Sequence, residues 1–264
     1  MIRTVSARLE LELSGPSELV LEVAAAERSL LVSEKLAIVS DGREVVPIEV
    51  VDRLGSRLHS FDGTAGRMSI EYSAQLNGAA EPAAVDPLDL IEYLRPSRYC
   101  ESDSLLPTAR SEFAGLSGVD LINAVRSWVG ARLSYVPGSS RGTDGAVGTL
   151  LARQGVCRDY AHLVIALLRA IDVPARMVAV YAPGLSPMDF HAVAEAYVEG
   201  GWQIVDATGL APRQSLVRIS TGRDAADTAF LTNHQSDLRL LDLQVLAIVD
   251  QLPSDDHSGL LRLN

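Results

Sequence analysis

The chain has 264 residues, 47% hydrophobic and 22% charged, with a formal net charge of −11 at pH 7. Such a composition buries a core and argues against wholesale disorder. An acidic chain with one lysine, Lys35, and no basic run is a poor match for nucleic acid. No stretch approaches the length of a membrane span, and "MIRTVSARLELELS" is too charged for a secretory leader. With two cysteines and no export signal, the expectation is reduced thiols in a cytoplasm.

The first 80 residues read as strands. Val5, Ala7, Leu9, Leu11 and Leu13 alternate with Thr4, Ser6, Arg8, Glu10 and Glu12, the period-two pattern of a sheet with one buried face. Leu19, Leu21 and Val23 repeat it, as do Met68, Ile70, Tyr72 and Ala74, and "SGPS", "SDGRE" and "FDGTAG" punctuate the runs. A small β-sandwich is predicted, with no helix before about residue 87.

The stretch "NGAAEPAAVDP", residues 77–87, marks a linker between a β-rich unit, 1–80, and a second unit, 81–264. Pro87 suits the first turn of a short helix through Leu94, stopped by Pro96. Leu121, Ile122, Val125, Trp128 and Val129 mark a second helix, and Thr143 is a candidate cap for a third carrying Val147, Leu150 and Leu151. A fourth begins near Cys157, carries Leu163, Val164, Ala166, Leu167 and Leu168, and ends before Pro174. Strands follow in "ARMVAVYA", "HAVAEAYV", "WQIVDAT", "SLVRIS" and "LLDLQVLAIV". Helices followed by an antiparallel sheet give an α+β class.

One stretch, "GVCRDYAHLVIALL", puts Cys157 at a helix start, where free amides and the macrodipole favour a thiolate. A buried, inert cysteine fits that position equally well. A nucleophile also needs a base, and the base an orienting group. Among the histidines, His191 opens the strand "HAVAEAYV" after the loop "APGLSPMDF", while Asp206 ends the returning strand. A two-residue turn at Glu199–Gly200 sets Val198 opposite Gly201 and Asp206 opposite Val193. Asp206 is then the diagonal neighbour of His191, within side-chain reach. A three-residue turn would put the two on opposite faces.

The other groups have plainer readings. His162 is five residues along the helix from Cys157 and reads as structural, and His59, His234 and His257 as surface residues. Asp189 ranks behind Asp206 as orienting group, and Glu195 is either an additional acceptor or a solvent-facing charge. Cys100, beside Glu101 and Asp103, reads as structural. No CxxC or HxxxH spacing supports a metal, and no glycine-rich nucleotide motif or GxSxG occurs. No cofactor is expected.

The ordered Cys, His and Asp, in "GVCRDYAHL", "DFHAVAEAYVEGGWQIVDAT" and, further on, "TGRDAADTAFLT", resemble the transglutaminase-like superfamily, specifically its bacterial branch of cysteine-protease-like proteins. The stretches "YLRPSRYCESDSLL" and "YVPGSS" fit that branch too. The resemblance implies a papain-like core behind a β-rich N-terminal region, with Cys157 as nucleophile, His191 as general base and acid, and Asp206 as its orienter. This chain departs in having Val193 where the branch usually has an aromatic, and Tyr160 where it often has Phe. The oxyanion donors proposed are the Cys157 amide and a side chain upstream, either Tyr135 or Thr143.

The expected activity is attack on an amide or peptide bond through an acyl-enzyme, with a protein or peptide as substrate (a Gln or Asn side-chain amide or the peptide bond itself). Hydrolysis makes it a peptidase or amidase, and capture by an amine makes it a transglutaminase. A non-catalytic binding protein on the same fold is the alternative of another class. Arylamine N-acetyltransferase shares the residue order, but it begins with helices where this chain begins with strands.

Overall fold

The computed structural model describes residues 1–80 and 85–263. The strands β1 (Ile2–Leu13), β2 (Ser17–Leu21), β3 (Leu31–Ser40), β4 (Arg43–Glu44), β5 (Ile48–Val51), β6 (Arg57–Gly63) and β7 (Gly66–Asn77) come first. Then follow α1 (Pro87–Glu92), α2 (Ser102–Glu112), α3 (Gly118–Arg132), β8 (Ser134–Tyr135), α4 (Ala146–Ala152), β9 (Gln154–Gly155) and α5 (Cys157–Ala170). The chain ends in β10 (Ala175–Tyr181), β11 (Phe190–Val198), β12 (Gly201–Val205), β13 (Val217–Gly222), β14 (Leu231–His234) and β15 (Leu238–Val249). This is the α+β architecture expected, with antiparallel sheets first and then helices on a sheet.

Two sheets face each other in the first part, in the orders β15-β1-β7-β3-β4 and β14-β2-β6-β5. Their alternating side chains make one core, in which Val5, Leu9, Leu11, Leu19, Leu21 and Ile70 are fully buried. Burial of each such side chain stabilises by about 1.5–3 kcal/mol. The third sheet, β12-β11-β10-β13, carries α5 against β10 and β11. From Asp159 to Ala170 every residue of α5 is buried, so the helix runs through the core rather than over it. Its one buried cation, Arg169, donates to the carbonyl oxygens of Ala175, Arg95 and Arg223 and to Ser97 Oγ, all within 3.0 Å.

The fold departs from the sequence reading in four of its elements, and His59, expected at the surface, is buried. The 81–264 unit is not self-contained in its pairing, because β14 bonds to β2 and β15 to β1 along almost its whole length. Helix α2 was not foreseen, since "SDSLLPTARSE" holds Pro107 and shows only a weak apolar face. Helix α1 stops at Glu92, two residues short of Leu94. Thr143 does not cap α4: the cap is Gly145, and the Ala146 amide donates to Glu101 Oε2 at 2.8 Å and to the Tyr99 carbonyl. A Cβ at Gly145 would stand 2.3 Å from Glu101 Oε1, so only glycine admits the distant carboxylate. Within the predicted linker, residues 81–84 lie outside the described residues.

Candidate functional site

Cys157 is the first residue of α5, and its thiol is half-buried. The turn before it is built by Asp159, which accepts the Val156 amide through Oδ2 at 2.8 Å and the Ser140 hydroxyl through Oδ1 at 2.9 Å. That carboxylate lies flat under Gly155, where a Cβ would stand 2.7 Å from the Cβ of Asp159. The glycine, valine and aspartate of "GVCRD" thus fix one tight entry into the helix, which presents the cysteine at its positive end.

The β11–β12 hairpin has the two-residue turn expected. Val198 pairs with Gly201, and Glu199 and Gly200 take φ of 53° and 74°, the left-handed pair of a tight hairpin turn. Ala194 faces Val205, so the same register carried one step further sets Asp206 opposite Val193. His191 Nε2 lies 3.2 Å from Asp206 Oδ2, and both side chains are buried. Asp206 is itself held by Thr208, whose amide and hydroxyl donate to Oδ1 at 2.8 and 2.7 Å.

Burial works against a charged ring, but the Asp206 carboxylate and the Cys157 thiol outweigh it, and His191 is pushed up to about 10. Burial likewise opposes the Asp206 charge, and its bonds to His191 and Thr208 hold it below the usual carboxylate range. The structure therefore brings Cys157, His191 and Asp206 into one connected group.

Of the two upstream candidates, Tyr135 joins this group and Thr143 does not. Tyr135 lies on β8, paired with β9 immediately before Cys157, and its hydroxyl contacts both the amide and the thiol of Cys157. Burial, then the neighbouring thiol, pushes Tyr135 up to about 12. Thr143 lies exposed in the turn before α4. Asp189 is exposed, and its carboxylate accepts the Phe190 amide. Glu195 is neither an acceptor for the histidine nor solvent-facing: it is buried between Arg176, 2.8 Å away, and Arg218, 2.7 Å away. Cys100 is wholly buried.

His162 has a defined structural task. Its ring stacks on Tyr99, and Nε2 accepts the Ala225 amide at 3.1 Å, tying α5 to the 224–228 turn. Burial pushes it down to about 3, so the ring is neutral. A histidine lowered in the fold favours the folded state above its ordinary value of about 6.5 and loses that contribution as pH falls. Stability should drop by up to about 1.4 kcal/mol per pH unit as the medium is acidified from pH 6 to pH 4. Thermal unfolding of wild type beside His162→Gln measures it, and equal pH slopes for the two would refute it.

Beside the thiol opens a cavity of about 380 Å³ lined by Cys157, His191, Phe190, Ile219, Phe230 and Glu22, among others. Most of its walls are apolar. Glu22 and Phe230 come from outside the segments that carry the Cys, His and Asp; Phe230 falls in the quoted stretch "TGRDAADTAFLT", and sequence reasoning missed Glu22. No local signal marks Glu22, which only follows the alternating run of β2. Thr208 was legible in principle, as the D-x-T of an aspartate-anchored turn.

Among known proteins, the transglutaminase-like superfamily model matches residues 113–207, the span that holds Tyr135, Cys157, His191 and Asp206. The crystal structure of a candidate cysteine protease from Cytophaga hutchinsonii is 31% identical and superposes with a TM-score of 0.88, over 97% of this chain and 92% of that one. An uncharacterized protein of Mycobacterium leprae is 25% identical over 183 residues, which are 64% of this chain and 63% of that protein. The chain thus spans somewhat under two thirds of the length of this curated relative. Fold, core and full-length likeness lead to one assignment: the chain belongs to the transglutaminase-like superfamily.

Proposed function

We propose that the chain is a thiol enzyme that cleaves amide bonds, as a peptidase or amidase, with Cys157, His191 and Asp206 as its working residues. One observation carries this reading: a buried imidazole bonded to a buried carboxylate on one side and coupled to a half-buried thiol on the other. In the sequence of steps, the Cys157 thiol gives its proton to His191 and its sulfur attacks the amide carbon. Asp206 supports the imidazolium that results. The contact of the Tyr135 hydroxyl with the Cys157 amide and thiol supports these two groups as donors to the oxyanion.

His191 then protonates the departing nitrogen, the C–N bond breaks, and an amine or ammonia leaves an acyl thioester on Cys157. Water attacks the thioester, its proton passing to His191 and on to the sulfur, and a carboxylic acid is released. An amine in place of water gives transamidation by the same steps. The resemblance to the Cytophaga hutchinsonii protein adds support on the protease side.

The test is to trap the thioester. Wild-type protein incubated with amide and peptide substrates and quenched in acid should gain the acyl mass on Cys157 in peptide maps, and Cys157→Ala should gain none. Acylation elsewhere, or turnover that survives Cys157→Ala, would overturn the reading.

A further inference from the structure

The cavity beside Cys157 holds a carboxylate that the proposed chemistry does not use. Glu22 lies just past β2, its amide donating to the Phe230 carbonyl at 3.0 Å. It is 8% exposed and lines the cavity, and its Oε2 has no hydrogen-bond partner. The Ser220 hydroxyl approaches the same carboxyl and is fully buried without another partner. A buried carboxylate oxygen with unused capacity thus stands at the wall of a mostly apolar pocket. A buried polar atom left unsatisfied costs about 1–3 kcal/mol, and such atoms are normally paired by something.

The charges around Glu22 say what that something is. The charged groups that act on it are Asp52 and Asp227, both acidic. The cavity's one arginine, Arg158, is committed elsewhere: it donates to Ser140 Oγ and to the Arg141 carbonyl at 2.5 and 2.6 Å. Among the described residues the carboxylate therefore has no cation acting on it, in surroundings that disfavour a second anion. Burial, eased by Ser220 but reinforced by Asp52 and Asp227, holds Glu22 up at about 7, as expected of a carboxyl that lacks its counter-ion.

We propose that this cavity binds a primary ammonium group carried on an aliphatic stem, with Glu22 as its acceptor and Phe190, Ile219 and Phe230 against the stem. An ammonium is a compact point charge, which suits one free carboxylate oxygen. A planar guanidinium would seek both carboxylate oxygens. The inference rests on Cys157 being the reacting group, since it makes the amine a recognition element of the molecule that reacts there. It also gives the β-rich N-terminal unit a part in choosing the substrate, because Glu22 comes from that unit.

The test measures binding without turnover. n-Butylamine, 1-butanol and butyrate are titrated into Cys157→Ala protein and followed by the methyl signal of Met177 in the cavity wall. The amine should bind about ten-fold or more tightly than the alcohol, as a charge-assisted hydrogen bond predicts. Glu22→Gln, of the same shape, should remove the difference.

Nα-acetyl-lysine amide, run beside n-butylamine, tells whether the ammonium arrives on a peptide side chain or on a small amine, and preference for either supports the proposal. Equal binding of amine and alcohol, no binding of either amine, tighter binding of butyrate, or discrimination that survives in Glu22→Gln would overturn it. Thioester trapping on Cys157 is a separate measurement, so failure of one leaves the other standing.

Discussion

Replacing His191 with alanine is expected to reduce turnover by about 10²–10⁴-fold, the usual range for removing a general acid–base group. The protein should remain folded, and the loss should appear in kcat. Alkylation of Cys157 by iodoacetamide gives a second readout. In wild type the imidazole, pushed up to about 10, is a strong acceptor for the proton of the thiol beside it. In His191→Ala that acceptor is gone, and alkylation near pH 7 should slow. An unchanged alkylation rate would sink the idea.

The stability consequence has a definite sign. A histidine whose value is raised in the fold contributes stability fully below about 6.5 and loses it as pH climbs through about 10. The difference in unfolding temperature between wild type and His191→Ala should therefore shift in favour of the variant from pH 7 to pH 10. Asp206→Asn should move His191 down, since the carboxylate is the main group holding it up.

Glu195→Gln is expected to destabilise the fold by about 3–5 kcal/mol, the cost of breaking a buried ion pair from one side. Glu195 is 1% exposed, and Arg176 and Arg218 together hold it well below the carboxylate range despite its burial. Without the charge of Glu195, both guanidinium groups lose an ionic partner; Arg218 keeps the Thr221 hydroxyl and Arg176 keeps Asp89 at 3.5 Å. At about 2–4 °C per kcal/mol for a chain of this size, the unfolding midpoint should fall by about 6–20 °C.

The triple change Glu195→Leu, Arg176→Leu, Arg218→Met should recover most of that loss, because apolar packing replaces a buried ion cluster at little net cost. Some loss should persist, since Arg176 also lies over Trp202 at 4.0 Å. A midpoint for Glu195→Gln within 2 °C of wild type, about 1 kcal/mol or less, would show that the cluster contributes little.

Much of this was readable from the sequence, and the failures have physical causes. The alternation of Val5 to Leu13 gave β1 because one face of that strand meets only core, and the turn at Glu199–Gly200 could be placed because tight hairpins admit few lengths. From that turn alone, parity set Asp206 and His191 on one face. Glu195 was misread because a strand pattern shows which face a residue takes but not which long-range partners await it there. Arg176 and Arg218 lie on other strands, and their approach depends on the β10 ladders with β11 and β13. Thr143 failed as a cap because the Ala146 amide is bonded by Glu101, 45 residues earlier. Glu22 was invisible for the same reason: its importance comes from what the fold places opposite it.

The return of β14 and β15 to the first two sheets bears on how the molecule is made. During synthesis, β1 and β2 each wait for an outer neighbour that lies more than 200 residues further on. Until residues 231–249 emerge, both strands present unpaired edges, the situation in which chains associate wrongly. Ladders between such distant segments also form slowly. A fragment that stops after β13 would carry the Cys, His and Asp and still leave two sheets open, so shortening the chain there invites aggregation even though those three residues remain.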